Sequence, residues 1–207
     1  MRRHLVVLLA VAPLLLAGCS LWPAAAADAP TWHVLDARPA VAAPARGEWV
    51  LGVSVPSAAP GVDSAAMVYV QTGHAVDHYA THRWVDTPAR MLAPLLTRTL
   101  EDTGSFRAVV PVATAARVDL RLDTELVRLR QNFLARPSRV EITLRAQLVD
   151  VAARKALATR YVEVTQHASS DDAPGGVAAA NAAVARALAQ VAAFCVDASA
   201  DFRPRAP

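Results

Sequence analysis

Two segments in the middle of the chain, Arg117–Leu126 and Arg139–Asp150, alternate apolar and polar side chains. Apolar residues occupy alternate positions of the first segment, apart from Thr124, and every even position from Val140 to Leu148. A period of two is typical of a strand with one covered face and one solvated face. The segments therefore predict an antiparallel or mixed sheet whose apolar face other elements must cover.

Two amphipathic helices are predicted to provide that cover. Thr87 is a suitable N-cap, Pro88 a suitable first helical residue, and Gly104 a suitable terminator. Between them, Met91 to Leu100 form an apolar stripe at three- and four-residue spacing, and Pro94 is expected to kink the helix or shift its start. The alanine-rich segment 177–199 is predicted as the second helix, after a loop over 169–176. The fold class is therefore α+β, with both helices packed on one face of the sheet.

Shorter strands are predicted on either side of the first helix, and the two around Gly73 should form a hairpin. Their predicted ranges are 32–37, 48–56, 67–72, 75–81, 106–110 and 156–167. The aromatic residues of this region are assigned to the core, with a lipid-binding slot as the alternative; they are Trp49, Tyr69, Tyr79 and Trp84.

The N-terminus has the pattern of an export signal. Arg2 and Arg3 precede the apolar stretch 5–16, which is shorter than the roughly 20 residues that a spanning helix needs. The sequence Leu-Ala-Gly-Cys19 that follows resembles a bacterial lipobox, so Cys19 is expected to be acylated and to begin the mature chain. The next residue is Ser20 rather than Asp, which favours the periplasmic face of the outer membrane.

These features divide the chain into a signal peptide 1–18, a lipidated tether 19–31 and one domain 32–203. Removal of the signal leaves a net charge of about +1 and no basic cluster, so a nucleic-acid partner is not expected. With Cys19 lipidated, Cys195 has no partner for an internal disulfide and is expected to be a small buried residue of the second helix.

The sequence has no Gly-rich phosphate loop, no His-Glu-x-x-His helix and no Gly-x-Ser-x-Gly elbow, and an enzyme is not expected. His74, His78 and His82 would share one face of a helix and could then hold a metal ion. The surrounding residues favour strands, however, where His74 and His82 would be about 27 Å apart. Asp171 and Asp172 form a candidate carboxylate pair, with an exposed loop as the other interpretation.

Four arginines frame the loop between the two long strands, and they are the candidate contacts for lipid headgroups or acidic partner residues. The alternative is an ordinary solvated hairpin end. They are Arg128, Arg130, Arg136 and Arg139.

A series of short motifs follows the lipobox. They include a Trp-containing strand at 32–35, the ending Val-Ser-Val-Pro56, residues 67–70, and His82-Arg-Trp84 before the leucine-rich helix. The hairpin 148–161 and the alanine-rich helix complete the order. Together they resemble the ABC-type transport auxiliary lipoproteins, the family that includes PqiC. Members of the family usually have Asn where this chain has His82.

The resemblance implies a lipoprotein anchored in the outer membrane that acts by binding and assembly rather than catalysis. Its implied partners are an MCE-domain protein, which moves phospholipid between the two membranes, and the associated ABC transporter. It also implies a homo-oligomer, with phospholipid as a candidate ligand and no cofactor beyond the covalent lipid on Cys19.

Two alternatives stay open from the sequence. One is a lipoprotein cofactor for another envelope machine, in lipopolysaccharide export or peptidoglycan synthesis. The other is a periplasmic metal-binding protein that uses His74, His78 and His82.

Overall fold

The computed structural model describes residues 29–41, 47–114, 116–200 and 202–203. The predicted signal peptide, Cys19 and most of the tether lie outside these residues. The described part forms nine strands and two helices. The strands are β1 (Thr31–His33), β2 (Val50–Val53), β3 (Ser57–Ala58), β4 (Ala66–Thr72), β5 (Ala75–Trp84), β6 (Ala108–Pro111), β7 (Leu120–Asn132), β8 (Arg139–Asp150) and β9 (Lys155–His167). The helices are α1 (Pro88–Asp102) and α2 (Ala173–Ser199).

Strand β7 is the centre of one mixed sheet, because it pairs along both of its edges. Antiparallel β8 covers one edge over the full length of β7, and β9 pairs with β8. Along the other edge lie three short parallel strands in succession: β2 at Leu120, β3 at Glu125 and β4 at Gln131. The sheet then forks, with β6 beyond β2 at one end and β5 and β1 beyond β4 at the other.

Both helices pack on the same face of the sheet. Helix α2 packs against β8 and β9, whereas α1 packs against β2, β6 and β7 and also touches α2. The side chains between these layers are almost fully buried; they include Leu92, Leu96, Leu100, Leu120, Leu122, Leu126, Ile142, Leu144, Leu148 and Leu188. The predicted α+β class, with two helices on one face of a mixed sheet, is confirmed.

Helix α2 meets the length and composition requirements of a membrane span, because it has 27 residues and contains a mostly apolar window of 18 residues. It is the one described helix that does so. Yet 56% of that window is buried, and small side chains such as Ala183 and Ala187 let the helix lie close to the sheet. We therefore interpret α2 as a core helix.

The long strand β7 runs further than its alternation predicted, because a bulge changes the side-chain pattern. Leu126 pairs with Leu144 and Arg128 with Thr143, so Val127 is an extra residue in β7. An extra residue moves the following side chains to the opposite face. Even-numbered residues are buried before the bulge, whereas Leu129 and Gln131 are buried after it.

The first predicted strand, 32–37, is wrong in length, since β1 ends at His33. After His33, the backbone forms hydrogen bonds with a side chain of α2 instead of with a neighbouring strand. Asn181 accepts a hydrogen bond from the backbone N–H of Asp36 and donates one to the carbonyl of Val34. Leu35 and Ala37 are still buried there, which accounts for the apolar pattern.

Two further boundaries differ from the prediction. The strand predicted at 48–56 is shorter, since β2 covers only Val50–Val53, and a separate strand, β3, begins at Ser57, after Pro56. Proline has no N–H to continue a ladder of hydrogen bonds. The short strand predicted at 106–110 is β6, which lies at 108–111.

Helix α1 begins at Pro88, as predicted, and runs through Pro94 without a shift of its start. Thr87 occupies the N-cap position but makes no side-chain capping bond. Gly104 follows the helix with φ +62°, a left-handed conformation that glycine adopts without steric cost. The hairpin around Gly73 is also present, as antiparallel β4 and β5.

Candidate functional site

The arginines predicted from the sequence gather at one end of β7, beside the start of α2. Arg128 and Arg130 lie on β7, Arg136 lies in the turn to β8, and Arg139 begins β8. The turn also faces β4, because the backbone N–H of Phe133 donates to the carbonyl of Val70. This end of the sheet is the candidate functional site.

Two of the four arginines are engaged by Glu141. Arg130 Nη2 lies 2.9 Å from Glu141 Oε2, and Arg139 Nε lies 3.3 Å from Oε1. Asn132 also donates a hydrogen bond of 2.8 Å to Oε1. Burial works to raise the pKa of Glu141, but these hydrogen bonds and the two positive charges outweigh it and hold the pKa below its usual value.

Arg128 and Arg136 differ from that pair. Both are exposed, and neither belongs to an ion pair among the residues that the structure describes. Their guanidinium groups are therefore available for an external anionic group, whereas contact through Arg130 or Arg139 would compete with Glu141. Of the four predicted arginines, two are therefore accessible to an external partner and two are paired with Glu141.

Gln131 joins four parts of the fold at this end. Its side chain is buried, and Tyr79 of β5 donates a hydrogen bond of 2.8 Å to its Oε1. Its Nε2 donates to Ser138 Oγ at 2.9 Å and to the carbonyl of Asp172 at 3.2 Å. A buried polar network in which each group has partners holds its members in one arrangement. Gln131 therefore fixes β5, the β7–β8 turn and the start of α2 relative to one another.

Asp171 and Asp172, the candidate carboxylate pair from the sequence, bind the same part of the fold, where the β7–β8 turn meets the start of α2. Asp171 Oδ1 accepts a hydrogen bond from the backbone N–H of Ser138, and this bond is the main cause of its lowered pKa. Asp172 Oδ1 accepts from Ser170 Oγ at 2.7 Å and from the N–H of Gly175 at 2.8 Å, and both bonds lower its pKa.

Asp172 is thus the N-cap of α2, which begins at Ala173 rather than at Val177. The predicted loop 169–176 is wrong over its second half. Proline at the second helical position is compatible with a helix start, because the first N–H groups have no partner inside the helix.

The three histidines of the metal hypothesis do not come together. His74 lies in the β4–β5 turn, and His78 is exposed on β5. His82 instead meets His33 of β1, with Nδ1 and Nε2 2.9 Å apart and the rings stacked at 5.2 Å. Burial, followed by the nearby charge of His82, lowers the pKa of His33. Within the described ranges, no group of three or more His, Cys, Asp or Glu residues is placed to hold a metal ion.

The histidine pair joins residues 49 positions apart in the sequence, so no local pattern indicated it. The parallel pairing of β1 with β5 brings them side by side, with Thr31 opposite His82 and His33 opposite Trp84. Only the strand register could have revealed this contact.

The predicted aromatic core is present in part. Trp84 is buried, whereas Trp49, Tyr69 and Tyr79 are half-buried. Tyr69 and Tyr79 have ring centroids 4.9 Å apart, and Tyr69 meets Phe133 edge-on at 5.9 Å. Burial, followed by the negative charge of Asp172, raises the pKa of Tyr79 to about 12.

A cavity of about 20 Å³ lies behind Tyr79 and Gln131, where Met67, Trp84 and Ala180 also line it. A space of this size holds a water molecule. Pockets for small-molecule ligands have volumes of roughly 300–1,000 Å³, so this cavity does not fit a phospholipid.

Similar proteins agree with this architecture. Protein XCC0632 from Xanthomonas campestris matches 82% of this chain and 96% of its own, with a TM-score of 0.74 and 24% identity. The hypothetical protein CT253 from Chlamydia trachomatis matches 76% of this chain and 100% of its own, with a TM-score of 0.57 and 8% identity. At these identities the likeness concerns the fold alone. No curated protein matches the sequence.

A family model gives a more specific result than the structural likeness. The model for the ABC-type transport auxiliary lipoprotein component matches residues 33–192, from β1 into the last turns of α2. That match covers most of the described domain and includes the whole candidate site. The chain belongs to the ABC-type transport auxiliary lipoprotein family.

Proposed function

We propose that this protein is an outer-membrane-anchored auxiliary lipoprotein of an MCE/ABC-type system that moves phospholipid between membranes. The observation that carries the proposal is the family match over residues 33–192. In this proposal the protein acts by contact, as an assembly partner of an MCE-domain protein and its ABC transporter. It works as a homo-oligomer.

A role by contact agrees with how the polar side chains of the candidate site are used. Asp171 and Asp172 hold the start of α2, and Glu141 holds two arginines. His33 and His82 bond to each other. General acid–base catalysis needs such groups within reach of a substrate proton. Each of these groups instead has an internal partner.

The anchoring part of the proposal rests on the sequence around Cys19. An acyl chain stabilises membrane association by about 0.8 kcal/mol for each buried methylene group, and stable anchoring takes more than one chain. The lipobox ends at Cys19 and the described domain begins within about a dozen residues of it. The domain is thereby held close to the periplasmic face of the membrane.

Within this role, Arg128 and Arg136 are the proposed contacts for acidic partner residues or lipid phosphates. Guanidinium groups form charge-assisted hydrogen bonds with carboxylates and phosphates, often two at a time. Arg128 lies near the end of β7, and Arg136 lies in the turn that follows, which also carries the exposed Leu134. Mixed apolar and arginine-containing surfaces are typical of protein interfaces.

Affinity purification of the tagged full-length lipoprotein in mild detergent tests the function. We expect an MCE-domain protein and ABC transporter subunits in the eluate. The Arg128→Glu, Arg136→Glu variant should lose them. The control variant Arg107→Glu, Arg117→Glu makes the same charge change at the opposite end of β7 and should retain them.

Two results would contradict the proposal. One is repeated absence of an MCE-domain protein from the eluate of the folded, membrane-bound lipoprotein. The other is specific recovery of components for lipopolysaccharide export or peptidoglycan synthesis, which would favour the alternative envelope machine. If both double variants lost the partners equally, the proposed contact through Arg128 and Arg136 would be contradicted. The role inferred from the family match would still stand.

A further inference from the structure

An apolar patch is exposed at the β1–β5 edge of the sheet, on the face opposite the helices. Trp32 is 55% exposed, Val34 48% and Val85 54%. Trp32 pairs with Arg83 in the parallel register, and the N–H of Val85 donates to the carbonyl of His33 at 2.8 Å. The register therefore places Trp32 beside Arg83 and Val34 beside Val85.

The alternation of the strands separates this patch from the core. Trp84 and His33 point to the buried side, while Trp32 and Arg83 occupy the other side of the same two strands. Exposed apolar groups that cluster on one side of a fold commonly mark a contact surface. The patch contains Trp32 and Arg83 on two adjacent strands, and the two valines that directly follow those strands.

The position of the patch in the chain indicates its occupant. Strand β1 is the first described element, and Trp32 follows Cys19 by thirteen residues. A chain of that length spans at most about 45 Å when fully extended. The domain surface around Trp32 is therefore the surface at which the chain leaves for its proposed lipid anchor.

We propose that Trp32, Val34, Val85 and Arg83 form a surface that rests on the headgroup region of the leaflet that holds the acyl chains of Cys19. This inference rests on the membrane anchoring in the proposed function. The indole ring is amphipathic and is enriched where membrane meets water. Arg83 can bond lipid phosphates while the valines contact the acyl boundary.

The tether makes a small patch sufficient for this contact. Attachment converts docking into an intramolecular step, for which the effective concentration of the surface is high. A patch of three apolar side chains need not bind membranes on its own. Its effect is to fix which side of the domain faces the leaflet, and so to hold the β7–β8 turn in a defined direction for its partner.

Quenching of tryptophan fluorescence by brominated lipid tests the contact directly. The full-length lipoprotein with Trp22→Phe, which removes the tryptophan of the tether, is reconstituted into phosphatidylethanolamine–phosphatidylglycerol vesicles. We expect quenching in this variant and its loss when Trp32→Phe is added. Adding Trp49→Phe instead is the control, and that variant should keep the quenching.

Flotation of the same vesicles separates this inference from the anchoring proposal. Protein that floats with the vesicles but shows no quenching dependent on Trp32 would overturn the inference and leave the anchor intact. Protein that does not float would overturn both. Light scattering in detergent tests whether a second copy of the chain covers the patch instead. Dissociation of an oligomer by Trp32→Ser, together with no quenching of Trp32 in vesicles, would show that it does and would overturn the inference.

Arg83 provides a second measurement that does not depend on the removal of an aromatic residue. Arg83→Glu should reduce the quenching of Trp32 in vesicles that contain phosphatidylglycerol, because it places a negative charge against anionic headgroups. Arg107→Glu, which changes an exposed arginine just before β6, is the matched charge control and should leave the quenching unchanged. An equal decrease in the two variants would contradict a specific role of the patch.

Discussion

The side chain of Gln131 fills the space that a side chain at position 176 would occupy. A Cβ atom at Gly176 would overlap Gln131 Oε1 and lie 2.7 Å from its Cδ. Gln131 cannot easily move aside, because Tyr79, Ser138 and Asp172 hold its amide group in place. The close approach of α2 to β7 therefore depends on glycine at this position.

The first prediction concerns this contact. Gly176→Ala should lower the free energy of unfolding by about 2 kcal/mol, because the alanine displaces a buried, hydrogen-bonded amide. In a double-mutant cycle with Gln131→Ala, the combined loss should be smaller than the sum of the two single losses. Urea unfolding measures each value, and the exposed Ala178→Ser serves as the control. Additive losses would contradict the overlap.

The second prediction concerns the acid stability that Glu141 provides. Its pKa is lowered in the folded state, so its contribution is present above the usual value of 4.5 and disappears as the pH falls through the folded pKa. Glu141→Gln should cost about 1–3 kcal/mol at neutral pH, since Arg130 and Arg139 would lose their shared anion. The difference from wild type should shrink as the pH falls below 4.5 and through the folded pKa. A loss that is independent of pH would contradict the ion-pair account.

The third prediction concerns Tyr79, whose pKa is raised to about 12. A tyrosine in the unfolded chain ionises near pH 10, so the folded state loses stability as the pH rises above about 10. Tyr79→Phe should cost about 1 kcal/mol at neutral pH, through the bond to Gln131, and should weaken the alkaline loss. Tyrosinate absorbance of the folded protein should show an ionisation near pH 12 that the substitution removes. Survival of that ionisation in Tyr79→Phe would assign it to another tyrosine.

The fourth prediction concerns Cys195, a free thiol that is buried in α2. Burial raises the pKa of this thiol to about 12, so little thiolate forms at neutral pH. Cys195 should resist alkylation in the native protein and react at once after unfolding in urea. Rapid native labelling, or a dimer that a reducing agent separates, would show that the thiol is accessible. Cys195→Ser should be destabilised by about 1–3 kcal/mol, because a hydroxyl group replaces an apolar neighbour of the core.

The fifth prediction concerns the anchor. Cys19→Ser should yield a folded domain that no longer sediments with outer membranes, because no acyl chains can be attached. Cys195→Ala changes the other cysteine and should remain in the membrane fraction. Membrane fractionation with circular dichroism measures both location and folding. Recovery of Cys19→Ser in the membrane at the wild-type level would contradict lipid anchoring through Cys19.

Local sequence patterns determined most elements of this fold. Alternation at Val140–Leu148 identified β8 to the residue, and the leucine spacing after Pro88 identified α1. Both signals arise from neighbouring residues that share one face, so they depend little on the rest of the chain. The order of short motifs also identified the family, which the match over residues 33–192 confirms.

The tertiary structure decided which residues meet. The bulge at Val127 reverses the faces of β7 and brings Gln131 inside, and the β1–β5 register joins His33 to His82. It also decided that Glu141 pairs with Arg130 and Arg139 while Arg128 and Arg136 stay accessible. Each of these contacts depends on strand register and helix placement. Register is a cooperative property of the whole sheet, and a local window of sequence does not contain it.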